Sequence, residues 1–159
     1  MRYPATLQVN EVSYAVELEP DRTLLSVLRS ELGLTGSKEG CDDSECGACM
    51  VLIDGQPVNS CSYLALQAEG RQVTTVEGLA SGTTLAPLQQ AFLEHGGVQC
   101  GFCTPGMLIS ATALLAANPD PTEDEVRAGL SGNLCRCTGY TGIVAAVRDV
   151  AAAQASDRA

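Results

Sequence analysis

Three cysteines on one short loop constrain this chain more than any other feature. In Cys41-Asp-Asp-Ser-Glu-Cys46-Gly-Ala-Cys49, four residues separate the first two thiols and two separate the next pair; Cys61 follows a short hydrophobic segment. This is the plant-type ligand spacing for a 2Fe–2S cluster. Three thiolates on one tight loop can reach two irons only if the backbone wraps around the inorganic core. Gly40 and Gly47 allow that close approach and left-handed turn conformations without a side-chain clash. The loop amides can then point inward and donate to sulfur, offsetting buried negative charge. Cys61, from a separate element, closes the cage.

Two other uses of four cysteines fit less well. A structural zinc site usually takes its ligands as two close pairs, not as a triplet plus one. A disulfide framework suits a secreted chain, and Met-Arg-Tyr-Pro-Ala-Thr at the start has neither an apolar signal core nor a twin arginine. Eight cysteines without such a signal point to metal ligation in a reducing cytoplasm. The net charge of −10 disfavours nucleic acid and anionic membrane surfaces as partners. The longest nearly apolar run, 106–117, is too short to span a bilayer and is broken by Ser110 and Thr112. With 159 residues, 4% aromatics and no tryptophan, the core must be built mostly of Ala, Leu and Val. Two units of roughly 75–80 residues would each be marginal on burial alone, so clusters would also act as folding staples.

Periodicity predicts an α+β first unit over 1–78. Strands are expected at 6–9 and 12–18 around a turn at Asn10-Glu11, where Asn-Gly would be the easier pair. A helix is expected over 23–32, capped by Thr23 and ended by Gly33. Strands at 50–53 and 56–60 flank the type I′ signal Asp54-Gly55, a short helix starts near Ser62, and a last strand covers 72–76. Beyond Gly78 the composition changes, Ala80-Ser-Gly-Thr83 marks a boundary, and 79–159 reads as helices only. The first covers 85–94. The second opens with Thr104 at the cap and Pro105 at the first helical position. The third follows Pro119 and Pro121 with the capping box Thr122-Glu-Asp-Glu125. The fourth covers 142–154, with fraying expected over 151–156. Four short helices with tight connections predict a small bundle.

That second unit carries its own four cysteines. Cys100 and Cys103 lie between its first two helices; Cys135 and Cys137 straddle Arg136 just before the last. Zinc would accept four thiolates, although a Cys-x-Cys bite is unusual for it. Redox thiols would explain the first pair and leave the second unused. A second 2Fe–2S cluster uses all four and is favoured over zinc, although this order is not a standard ligand pattern.

The longer motifs are more specific. Val98-Gln-Cys-Gly-Phe-Cys-Thr-Pro-Gly106 and Gly132-Asn-Leu-Cys-Arg-Cys-Thr-Gly-Tyr140 resemble the two signatures of the small iron–sulfur subunit of the xanthine dehydrogenase and aldehyde oxidoreductase family of molybdenum hydroxylases. The resemblance covers nearly the whole chain, including the Cys41 loop. It implies a plant-ferredoxin-like β-grasp domain over 1–78 followed by a four-helix bundle over 79–159, each holding one 2Fe–2S cluster. It assigns Cys41, Cys46, Cys49 and Cys61 to one cluster, and Cys100, Cys103, Cys135 and Cys137 to the other. It also matches Gln99 to a glutamine that hydrogen-bonds the pterin of the molybdenum cofactor, with the Cys137 segment beside the same pterin. A large molybdenum-binding subunit and a medium FAD-binding subunit are the implied partners, in a hetero-oligomer. Glu11 departs from the easier glycine, which bears on turn geometry and not on ligation.

The remaining polar residues have simpler roles. His95 is the only histidine, so a Rieske centre, which needs two imidazoles, is excluded. Its place before Gly96-Gly97 suits the end of a helix. Asp42, Asp43 and Glu45 read as a solvated loop rim, with an electron partner as the functional alternative; Glu123, Asp124 and Glu125 suit a helix N-terminus. Arg136 could tune a cluster or face a partner. No phosphate-cradling loop or nucleophile–base pair is present. The expected work is therefore single-electron relay from molybdenum through two clusters to FAD; the rival is a stand-alone ferredoxin, which leaves the second four cysteines idle.

Overall fold

The computed structural model describes residues 1–157. The first half is a five-stranded mixed sheet around one helix. Strands β1 (Tyr3–Val9), β2 (Val12–Leu18), β3 (Met50–Ile53), β4 (Gln56–Asn59) and β5 (Gln72–Thr74) lie in the order β2-β1-β5-β3-β4. Only the β1–β5 pairing is parallel; the others are antiparallel. Helix α1 (Leu24–Ser30) is capped by Thr23, whose hydroxyl accepts from Ser26 N, and it buries Leu24, Leu25, Val27 and Leu28. Leu24, Val27 and Leu28 join Leu7, Val9, Leu18, Val51, Ile53 and Val73 in the core of this half.

The first hairpin forms at the expected place with a less suitable residue. Val9 pairs with Val12 across Asn10 and Glu11, whose φ angles are 50° and 65°. A two-residue turn with both positions left-handed is type I′. Asn10 is compensated: its Oδ1 accepts from Thr75 N and its Nδ2 donates to Thr75 Oγ1, both at 2.9 Å. Glu11 has no such compensation in the turn.

The second half packs helices α2 (Pro87–Glu94), α3 (Thr104–Ala117), α4 (Glu123–Gly129) and α5 (Thr141–Asp157) around Phe92, Met107, Leu108, Val126, Ile143 and Val147. The capping box is present: Thr122 Oγ1 accepts from Glu125 N, and Thr122 N donates to Glu125 Oε2. Three expectations need correction. Cys103, not Thr104, is the N-cap of α3, so Pro105 stands at the second helical position. The segment after Cys61 winds only into a 3₁₀ turn, Ala65–Ala68. Helix α5 does not fray over 151–156: it continues to Asp157, with Val150 and Ala151 buried in the helical core.

Strand β3 joins the halves. Its four residues Met-Val-Leu-Ile are all buried, the pattern of a strand covered on both faces. Alternation sends Val51 and Ile53 to the core around α1, and Met50 and Leu52 to Ile109 of α3. α3 can meet the sheet on one side and helices on the other because it is apolar around its circumference. Among the described residues no helix is long and apolar enough to cross a membrane.

Candidate metal centres

The eight cysteines gather into two groups of four, one in each half. All are free thiols. In the first group the loop 41–49 runs through two left-handed non-glycine residues, Asp42 (φ 60°) and Ser44 (φ 66°), and through Gly47 (φ 70°). This winding sets Cys46 N 3.4 Å from Cys41 Sγ, where it donates. Gly40 lies so close that a Cβ on it would sit 2.9 Å from Cys46 Sγ. Cys49 and Cys61 approach from the two ends of the β3–β4 hairpin and pack together against Leu25. Ser60 Oγ donates to Cys49 O at 2.6 Å, Ser44 Oγ lies 3.7 Å from Cys61 Sγ, and Asn59 Oδ1 accepts from Cys49 Sγ at 3.6 Å.

The second group pairs across two loops. Cys103 neighbours Cys135, and Cys100 neighbours Cys137. Thr138 steadies Cys135, with its hydroxyl 3.1 Å from the sulfur and its N–H donating at 3.5 Å. Tyr140, left-handed at φ 68°, turns back so that its hydroxyl accepts from Cys135 N at 2.8 Å and donates to Asn133 O at 3.4 Å. Gln99 is exposed beside exposed Cys100, and Cys137 is exposed on the facing loop.

Burial opposes ionisation of several of these thiols. Burial pushes the Cys49 and Cys103 thiols up to about 12, and their cysteine neighbours add to the effect. Burial also raises Cys46, and the hydrogen bond with Cys100 raises Cys137. Two cysteines run the other way. Burial opposes Cys135 ionisation, but the Thr138 hydroxyl and N–H outweigh that and bring it to about 7. The Asp43 side chain opposes Cys41 ionisation, but the backbone N–H groups of Asp43 and Cys46 hold it below its ordinary value. Clustered thiols that resist ionisation become favourable ligands once a metal's charge stands among them.

The donor set and the space around it fit a binuclear cluster. Four thiolates in each group are the donor set that a 2Fe–2S cluster would take. Thr104 Oγ1, next to Cys103, is buried without a hydrogen-bond partner, a donor position that a sulfur could satisfy.

His95 takes the role expected of it. It caps α2, with Nε2 3.2 Å from Asp149 Oδ2. Sequence reasoning singled out the cysteines and Gln99 but not Asn133, Thr138, Tyr140 or Asn59. Asn133, Thr138 and Tyr140 stood inside a recognised motif, which was the one signal that could have drawn attention to them.

A family described as a 2Fe-2S iron-sulfur cluster binding domain matches residues 7–85, and one described as a 2Fe-2S binding domain matches residues 75–148. The nicotinate dehydrogenase small FeS subunit of Eubacterium barkeri is 52% identical over 142 residues, covering 89% of this chain and 90% of that protein. The xanthine dehydrogenase iron-sulfur-binding subunit of Escherichia coli O157:H7 is 48% identical over 143 residues, covering 89% of each. Among solved structures, quinoline 2-oxidoreductase from Pseudomonas putida 86 superposes with a TM-score of 0.94 at 48% identity, covering 99% of this chain and 97% of the matched one. The chain belongs to the small iron–sulfur subunits of the xanthine dehydrogenase and aldehyde oxidoreductase family of molybdenum hydroxylases.

Proposed function

We propose that this chain relays electrons singly from a molybdenum–pterin cofactor on a large partner subunit to FAD on a medium partner subunit. Cys41, Cys46, Cys49 and Cys61 hold one 2Fe–2S cluster; Cys100, Cys103, Cys135 and Cys137 hold the other. The carrying observation is that one small chain brings together two separate groups of four thiols, with a backbone hydrogen bond between their loops: Leu134 N donates to Cys46 O at 2.9 Å. Each cluster, when bound, supplies reversible one-electron chemistry. Residues 1–78 then act as the distal domain, and residues 79–159, with a four-helix bundle, as the proximal one.

The roles of the surrounding residues follow from their positions. Buried Ala48, Cys49 and Cys61 keep water from the first group. The Ser60 hydroxyl fixes the Cys49 backbone, Tyr140 fixes the Cys135 backbone, and Thr138 fixes the Cys135 sulfur. Gln99, Cys100 and Cys137 are exposed, and so are the apolar Phe102 and Leu134 on the same two loops. A polar and apolar rim around exposed ligands suits a face that a molybdenum subunit covers, with Gln99 hydrogen-bonding the pterin. The Cys41 group is then the one nearer FAD. A stand-alone ferredoxin would need only the first group.

The order of the relay is testable in the assembled complex. With Cys49→Ser, anaerobic substrate should reduce molybdenum and the Cys100-group cluster quickly, with slow or absent flavin reduction. With Cys103→Ser, both the Cys41-group cluster and flavin should lag. Stopped-flow absorbance with rapid-freeze paramagnetic resonance follows each centre. Flavin reduction at the wild-type rate in Cys49→Ser would mean that the clusters are not in series.

A further inference from the structure

The two cysteine loops do more than lie near each other: a buried side chain fastens one to the other. Asn133 is 3% exposed, and its Nδ2 donates to Gly47 O at 3.1 Å across 86 positions of sequence. One residue later, Leu134 N donates to Cys46 O. Gly47 O also accepts from Met50 N at 3.2 Å, so the same carbonyl sits in the turn leading into β3.

The contact admits no slack. A Cβ on Gly47 would stand 2.3 Å from Gly132 O and 2.5 Å from Asn133 Nδ2, and a Cβ on Gly106 would stand 2.1 Å from Gly47 O. Asn133 is itself held, its N–H donating to Leu130 O at 3.0 Å and its carbonyl accepting from the Tyr140 hydroxyl. A neutral carboxamide suits this place. It donates to a buried carbonyl without adding charge between two anionic centres, whereas a carboxylate would repel Gly47 O and both groups of thiolates.

We infer that Asn133 is a positioning residue for electron transfer between the two halves: by clamping the Cys135–Cys137 loop to Gly47, it fixes the separation of the two clusters and the hydrogen-bonded route from Cys46 through Leu134 to Cys135. The inference rests on the two-cluster reading above. Electron transfer between fixed centres falls steeply with separation, and the magnetic coupling of two reduced clusters also depends on it. A loosened clamp therefore changes both, and the second does not depend on turnover.

The test compares the intact complex carrying wild-type chain, Asn133→Ala and the similarly sized Asn133→Leu, which fills the space without donating. Iron and acid-labile sulfide are measured first. Wild-type protein lacking two clusters would remove the reading on which the inference rests, independently of either variant. With both clusters retained, the spin–spin splitting between the two reduced signals should diminish or change shape in both variants. Electron transfer from the Cys100-group to the Cys41-group cluster should slow by up to roughly tenfold as the gap loosens. Unchanged splitting and rate in both variants would overturn the inference. Loss of clusters from both variants would also overturn it, since Asn133 would then hold the fold and not the gap.

Discussion

Gln99 is exposed one residue before Cys100, where we propose that it meets the pterin of the partner subunit. Gln99→Ala should leave iron and sulfide content unchanged while slowing substrate-driven reduction of both clusters. A lost hydrogen bond of about 0.5–1.5 kcal/mol sets the scale. Normal reduction kinetics in that variant would remove Gln99 from the path. Glu11 is a different residue-scale case, because its φ of 65° strains a side chain where glycine would be relaxed. The relief outweighs the added chain entropy of glycine, so Glu11→Gly should stabilise the chain by up to about 1 kcal/mol, read by denaturant melting. The strain was foreseeable because turn type follows from loop length and residue identity. The partners of Asn133 and Tyr140 were not, since hydrogen bonds across long sequence separations depend on packing and leave no periodic trace.

At the scale of elements, local signals predicted most of what the backbone does. Thr23, Thr122 and Asp54-Gly55 each act through neighbours within three residues, and each stands where expected. The end of α5 was misjudged because an alanine-rich tail reads as weakly anchored; burial of Val150 and Ala151 against the other helices extends it. The start of α3 was misplaced by one residue for a similar reason. Thr104 is the better cap by propensity, but the loop that brings Cys103 toward Cys135 makes Cys103 the cap instead. Helix α4 offers a prediction of its own. Thr122→Ala removes an N-cap and should cost about 1 kcal/mol at neutral pH. The Thr122 backbone N–H and hydroxyl hold the Glu125 carboxyl below its ordinary value of 4.5. That part of the stability is complete above 4.5 and is lost as pH falls through the lower folded value. The deficit of Thr122→Ala relative to wild type should therefore stay level from about pH 7 to 5 and shrink in more acid solution. Paired denaturant melts check this, and a deficit that grows in acid would contradict it.

For the molecule as a whole, the sequence separates two cysteine groups, and the structure joins their halves through β3, α3 and the Asn133 clamp. The division of composition near Gly78 suggested two independent units. It could not show that Met50 and Leu52 would turn from the sheet toward Ile109, because a four-residue apolar run does not say what covers each face. This joining suits a relay, since centres held by one continuous body keep a constant separation. The central claim is that the chain carries two 2Fe–2S clusters, and metal analysis of anaerobically isolated native complex tests it most directly. Two clusters on eight cysteines require four irons and four acid-labile sulfides per chain, with two distinguishable paramagnetic signals on reduction. Two irons with a single signal, or stoichiometric zinc in the second group, would contradict the account.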